Sequence, residues 1–162
     1  MMILIINMLL KNLIKNLPEE KKKINIRGLE VNSKKIRKNF IYFAIKGYKL
    51  NGEDFIDEAI KKGANVIVCS KKSKYKNKKL VVIKTSNIRN FLSEISAKFY
   101  KLKPKNIFAV TGTNGKTSVA DLFYQLLRIN KIPAASIGTL GIKYNNKIIK
   151  TNLTSPDTVT LH

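Results

Sequence analysis

Apolar positions along this chain change period several times, and each change marks an element. Leu9, Leu10, Leu13, Ile14 and Leu17 recur at helical spacing until Pro18, which predicts an amphipathic helix packed on a domain. A basic connector runs from Glu19 to Lys23, and Ile24–Arg27 and Gly28–Val31 read as short strands before the polar turn Asn32-Ser33-Lys34-Lys35. Phe40-Ile-Tyr-Phe-Ala-Ile45 is unbroken, apolar and rich in β-formers, the pattern of a strand buried on both faces. Gly47 to Gly52 is a loop. Phe55, Ile56, Ala59 and Ile60 then return to helical spacing, and Gly63 supplies the stop. Asn65–Cys69 predicts a strand, Ser70 to Lys79 a lysine-rich surface loop and Leu80–Ile83 another strand. A helix from about Asn87 to Lys101 follows, with Phe91, Leu92, Ile95 and Phe99 on one face.

Lys101-Leu-Lys-Pro-Lys105 breaks this rhythm and is the best domain boundary in the chain. Beyond it, Ile107–Thr111 predicts an apolar strand, followed by a glycine turn and a helix from Thr117 to about Asn130. Pro133 and a strand over Ala134–Ile137 come next. Strand, helix and strand in that order make a βαβ unit, which requires parallel pairing. Gly138 to Lys150 reads as a hairpin around Asn145-Asn146, and Thr151–Asp157 as a loop. The expected fold is therefore α/β: a small first domain over residues 1–103, then over 104–162 the start of a parallel-sheet domain. Two strands and one helix cannot cover both faces of a parallel sheet, so the second domain is expected to be incomplete and the chain to be the front of a longer protein.

Composition agrees with a globular chain: of 162 residues, 44% are hydrophobic and 26% charged. The charge is lopsided, with 32 Lys+Arg against 10 Asp+Glu, a net +22. All the bases except Arg27, Arg37, Arg89 and Arg128 are lysine. A surface that clamps nucleic acid usually leans on arginine's bidentate fork, so most of this charge reads as solvated surface. The single cysteine, Cys69, excludes an internal disulfide framework and a cysteine zinc site. The single histidine, His162, leaves no interior histidine for a Ser-His-Asp triad. No apolar run reaches the roughly 18 residues that span a bilayer. Met1–Ile6 lacks the basic flank and cleavage site of a secretion signal. The expectation is a cytoplasmic protein without membrane insertion.

The segment that carries chemistry is Val110-Thr-Gly-Thr-Asn-Gly-Lys-Thr-Ser118, at the predicted strand-to-helix turn. Gly112 and Gly115 let the backbone bend tightly around an anion. The backbone amides of Asn114 to Thr117 point into the turn, at the positive end of the next helix. Lys116 can reach the β- and γ-phosphates of a nucleotide, and the Thr117 hydroxyl is placed to ligate Mg²⁺. The common phosphate loop has four residues between its glycines. This one has two, so it is a shortened variant. The plain alternative is a glycine turn followed by a chance Lys-Thr.

This loop resembles the ATP loop of the Mur ligase family and of its folylpolyglutamate synthetase relatives. Asn32-Ser33-Lys34, Phe40–Gly47 and Asn51-Gly52 with the helix to Gly63-Ala64 resemble the amino-terminal UDP-binding domain of the MurE and MurF types. Asn152-Leu-Thr-Ser-Pro-Asp157 resembles a Thr-Thr-Pro loop found in the MurE type and lacking in MurF. The resemblance implies that Gly112 to Ser118 hold ATP, that Lys116 is catalytic and that Thr117 is a metal ligand. It implies that Val31, Ser33, Tyr48, Lys49 and Leu50 border the UDP site and that Thr154 and Ser155 hold the muramoyl-peptide. Asn32 and Lys34 depart from the family's Asp and Arg, which weakens local ion pairing. Ser155 replaces a threonine but keeps the hydroxyl, and Leu153 loses an asparagine contact present in some members.

The implied reaction joins meso-diaminopimelate, or L-lysine, to UDP-N-acetylmuramoyl-L-alanyl-D-glutamate. It uses ATP and Mg²⁺ and passes through an acyl phosphate in peptidoglycan precursor synthesis. The implied partners are that nucleotide sugar and an amino acid, with no nucleic acid, and the full-length enzyme is expected to be a monomer. Further metal ligands, a modified lysine and the domain that selects the amino acid are expected beyond His162, so the chain alone is expected to be inactive. Two alternatives stand beside this reading: a MurF-type dipeptide ligase, and a basic nucleic-acid-binding NTPase supported by the net charge and the phosphate loop.

Overall fold

The computed structural model describes residues 6–48, 50–150 and 159. Two compact units emerge, with the break after Leu102.

In the first unit, β1 (Met8–Leu9) runs directly into α1 (Leu10–Leu13), and α2 (Glu19–Lys22) precedes β2 (Asn25–Ile26). β1 and β2 pair antiparallel. The long helix expected from Leu9 to Leu17 is therefore a single turn. Leu10 and Leu13 are buried, but Ile14 is already extended at φ −128° and Asn16 takes a left-handed φ of 58°. Asparagine tolerates that conformation better than most residues, and it reverses the chain before Pro18 can act.

The main sheet consists of β3 (Gly28–Glu30), β4 (Phe40–Phe43), β5 (Ala64–Ser70) and β6 (Val81–Thr85), all parallel and in sequential order. Side chains alternate across β4. Tyr42 and Ala44 join Ile36, Ala64, Ile67, Cys69 and the Ile56 and Ala59 side chains of α3 (Ile56–Lys61) in one buried cluster. Phe43 points the other way, and its ring lies 6.5 Å from Phe91 of α4 (Ile88–Phe99). Leu92, Ile95 and Phe99 of α4 are buried as well, as the helical stripe predicts. Helices on both faces explain why β4 and the Val66–Cys69 stretch of β5 are apolar without the alternation of a half-exposed strand. Cys69 is fully buried, and burial pushes its thiol pKa up, in keeping with an unreactive core residue.

The second unit holds α5 (Lys116–Ile129) and an antiparallel meander of β7 (Ala135–Gly138), β8 (Gly141–Tyr144) and β9 (Lys147–Ile149). The β8–β9 turn falls on Asn145 and Asn146, both at positive φ, as the hairpin reading expects. The strand expected over 107–111 is in no ladder. A strand is defined by its partners, and the described residues of this unit offer it none. Ile107 and Phe108 are largely exposed, although the Phe108 ring packs edge-on against Phe123 of α5 at 5.1 Å. The parallel pairing anticipated for this βαβ segment is thus absent among the described residues. No described helix is long and apolar enough to cross a membrane.

Candidate nucleotide sites in the two units

The glycine loop opens α5. Gly115 is the N-cap at φ 76° and ψ −6°, a left-handed conformation that glycine adopts without a Cβ penalty, and no side chain caps the helix. The first amides of α5 therefore keep their hydrogen-bonding capacity and the positive end of the helix dipole. Gly112 has φ 147° and turns the chain into the loop. Every residue from Gly112 to Ser118 is exposed. The Lys116 ammonium folds back onto its own loop, donating to the Gly112 carbonyl and to the Thr113 carbonyl at 3.1 Å. An anion seated on the amides offers that ammonium a charged acceptor in place of two neutral carbonyls. The loop thus fits a phosphate: glycine conformation, open amides and a tethered cation meet in one short segment.

Thr117 lines a small cleft with Asp121, Ser136 and Lys143. Asp121 of α5 accepts from Lys143 of β8 and from Gln125 Nε2 at 2.8 Å. The Lys143 hydrogen bond, then that of Gln125, holds the Asp121 carboxyl below the usual aspartate range. The Thr117 hydroxyl fits a hard cation, which prefers oxygen ligands. The described residues contain no cluster of three or more His, Cys, Asp or Glu arranged to hold a metal ion. Lys143 was not singled out from sequence. Its pairing with Asp121 spans 22 positions and is not written in any local pattern.

In the first unit, Ser33 begins a 3-10 turn over Ser33–Lys35, capped by Asn32, whose side chain accepts from the Lys34 amide at 3.0 Å. The amides of Val31 and Asn32 both donate to Glu30 Oε1, at 2.9 and 3.0 Å. Ser33 is buried, and its hydroxyl donates to Glu58 Oε2 of α3 at 2.6 Å. Lys62 Nζ donates to the other Glu58 oxygen at 2.9 Å and to the Lys34 carbonyl at 3.3 Å. The Ser33 hydrogen bond is the largest cause holding the Glu58 carboxyl below the usual glutamate range, followed by that of Lys62.

The second stretch expected at this site is a short reversal. Lys46 and Asn51 form an antiparallel bridge, and the Gly47 amide donates to the Leu50 carbonyl at 2.8 Å. Tyr48 and Leu50 point into solvent at 103% and 67% exposure. The reversal is anchored from inside the core, where Tyr42 Oη donates to the Gly52 carbonyl at 2.9 Å. Both the 33–35 turn and the 52–55 turn pack on α3, so one helix carries both stretches. Lys49, Thr154 and Ser155 lie outside the described residues. Glu58 and Tyr42 escaped the sequence reading. One signal was present, the Glu58/Lys62 spacing of a helical ion pair, but nothing in sequence links Glu58 to Ser33.

Tyr42 gives a pH test of this anchoring. Burial first, then the charges of Glu58 and Asp54, push its phenol up to about 12 from 10.0. A raised folded-state pKa means the neutral phenol is the form that stabilises the fold. That stability is fully present below pH 10 and is lost as pH rises through 10 towards 12. Denaturant titrations between pH 9 and 12 should show wild type losing stability along this limb. Tyr42→Phe, less stable at pH 8 through the lost hydrogen bond, should show a flatter limb.

Residues 25–100 match the profile described as "Mur ligase family, catalytic domain", and residues 110–162 match the "Mur ligase middle domain". The chain belongs to the Mur ligase family. Among curated Mur ligases, the UDP-N-acetylmuramoyl-L-alanyl-D-glutamate–2,6-diaminopimelate ligase of Zymomonas mobilis is 42% identical over 144 residues, 89% of this chain. The enzyme of the same name from Rickettsia felis is 41% identical over 129 residues, 79% of this chain. The chain spans 29% and 24% of those two enzymes' lengths. A solved ligase of that name shares the Mur ligase fold, with a TM-score of 0.73 at 21% identity over 96% of this chain and 32% of its own. A MurF ligase of Thermotoga maritima, solved with ADP, gives a TM-score of 0.52 at 27% identity over 62% of this chain and 23% of its own.

Proposed function

We propose that this chain carries the nucleotide-sugar and ATP sites of an ATP-dependent amide-bond ligase of peptidoglycan precursor synthesis. In this reading 2,6-diaminopimelate is joined to UDP-N-acetylmuramoyl-L-alanyl-D-glutamate in the cytoplasm. The observation that carries the reading is the 42% identity to an enzyme of that name across 89% of the chain. Among the ligase alternatives, this identity favours the diaminopimelate type over the MurF type. Family membership favours a ligase over a nucleic-acid-binding NTPase, and the scattered lysines agree with that.

ATP, when bound, supplies the phosphoryl group that activates the substrate carboxyl. The chain's own part is to hold it. The amides opening α5 receive the phosphates, Lys116 leaves its loop carbonyls to neutralise them, and Thr117 offers an oxygen to Mg²⁺. Asn114 and Ser118 shape the rim. Work of this kind is positioning and charge neutralisation, and a preformed loop delivers both. Val31, Ser33, Tyr48, Lys49 and Leu50, all of the first unit, take the UDP moiety, and Thr154 and Ser155, beyond it in the chain, take the muramoyl-peptide.

The test is a chimera in which this chain replaces the matching 144 residues of the Zymomonas mobilis enzyme. The expected result is ATP-dependent attachment of diaminopimelate to the UDP-muramoyl dipeptide. A chimera that folds but neither consumes ATP nor forms the amide overturns the proposal.

A further inference from the structure

An open edge of the main sheet runs beside a groove in the first unit. β6 ends the strand order, and its ladder partner among the described residues is β5 alone. The Thr85 carbonyl accepts from the Lys71 amide at 2.8 Å, so Thr85, Ile83 and Val81 turn their backbone groups towards β5. In a parallel ladder the residues between them turn the other way. Val82 and Lys84 therefore present N–H and C=O groups at the open edge, where no described backbone group pairs with them. A groove of about 420 Å³ lies between this strand and the 14–18 connector. Ile14, Leu17 and Leu80 give it apolar walls, and Lys15 and Lys21 give it charge. None of the described residues that line it is acidic. The turn leading into β6 extends the charge, since exposed Lys76, Lys78 and Lys79 flank the groove residue Asn77.

We infer that this groove docks an acidic, extended segment of a partner protein, which adds to β6 as a fifth strand of the sheet. An unpaired edge offers main-chain hydrogen bonds to any strand, and the walls and charges beside it choose which strand is taken. Here the apolar walls receive alternate side chains, and the lysines receive carboxylates. Glu20, 3.9 Å from Lys21, does not line the groove, and an ammonium with three donors takes a second carboxylate. A second copy of this chain fits worse. Pairing two β6 edges would bring Lys15, Lys21 and the lysines of the 76–79 turn of both copies together, in a chain of net charge +22.

The experiment is an NMR titration of the 162-residue chain with a short peptide of alternating glutamate and valine. Three further probes are its lysine-for-glutamate counterpart, the glutamate peptide N-methylated at every residue, and a single-stranded oligonucleotide of equal charge. The glutamate peptide should shift the Val82 and Lys84 amides and protect them from exchange. The lysine and N-methylated peptides should bind at least about tenfold more weakly, the first through like charge and the second through lost pairing. Lys15→Glu combined with Lys21→Glu reverses the charge of the groove at two residues outside the buried core, so melting should not change. In that variant the glutamate peptide should weaken by about tenfold, and the preference should turn towards the lysine peptide. If the variant does not fold, the peptide arms decide, because they leave the protein unaltered. Unshifted Val82 and Lys84 amides, an N-methylated peptide that binds as its parent does, or an unchanged affinity in the folded double variant overturns the proposal. So does an oligonucleotide that binds at those amides more tightly than the peptide. Protection of the same amides that rises with protein concentration alone makes a second copy the occupant, and overturns it too.

Discussion

Lys116→Ala, placed in the chimeric ligase, should lower ATP-dependent amide formation by about a thousandfold or more, the scale on which a lone cation acts on a transferring phosphoryl group. The loop geometry explains so large an effect. The Gly115 turn and the uncapped start of α5 fix a set of amide dipoles, but a dipole array carries no net charge. Lys116 is the cation this loop supplies, and it is already held at the rim by the Gly112 and Thr113 carbonyls. Its removal leaves the γ-phosphate without the one side-chain cation of the loop. The side chain is exposed and its described bonds are to its own loop, so the melting temperature should stay that of the parent. Phosphate release at saturating ATP is the measurement. Turnover within a few-fold of the parent would show that the loop is not where the phosphate sits.

Much of the first unit was legible because its signals are local. Phe40–Phe43 and Val66–Cys69 are covered on both faces, and a two-sided burial writes an unbroken apolar run into the sequence. The start of α5 is equally local, since a glycine turn followed by Gly-Lys-Thr at a helix N-terminus is a pattern of consecutive residues. The strand anticipated over 107–111 was legible as an apolar run only. Whether such a run becomes a strand depends on a neighbour with free backbone groups, and that is a property of the rest of the sheet. The same holds for the apolar stripe of α5. Of that stripe only Tyr124 is buried, while Val119, Leu122, Leu126 and Ile129 remain exposed. No described element of the unit packs over those residues, so helical spacing of apolar residues here marks the helix without marking a buried face.

Ser33 shows the other limit. Its place in an Asn-Ser-Lys turn marks it as a candidate contact. Sequence could not show that its hydrogen is committed to a carboxylate 25 positions away, because the partner is supplied by the packing of α3 against the turn. The family resemblance pointed to the residue. The fold determines which of its hydrogen-bonding capacities remains available.

Gly52→Ala should be the most damaging conservative change in the first unit, at about 2–3 kcal/mol, the upper range for forcing extra atoms into a packed site. A Cβ at this position would lie 2.6 Å from both the amide nitrogen and the carbonyl oxygen of Ile45 and 2.7 Å from the Ala44 carbonyl carbon. All three are backbone atoms of the chain leaving β4, and they cannot rotate aside as a side-chain tip can. The close approach is held by the Gly52 amide donating to the Ile45 carbonyl at 3.0 Å and by Tyr42 on the Gly52 carbonyl. Relieving the clash means opening the reversal at 46–51, which carries Tyr48 and Leu50. The substitution should therefore lower the melting temperature and weaken UDP binding together. Gly138→Ala is the control, since a Cβ there meets nothing within 4 Å. If Gly52→Ala melts with the control and binds UDP as wild type does, the reversal is not braced against β4, and the rigid presentation of Tyr48 and Leu50 falls with it.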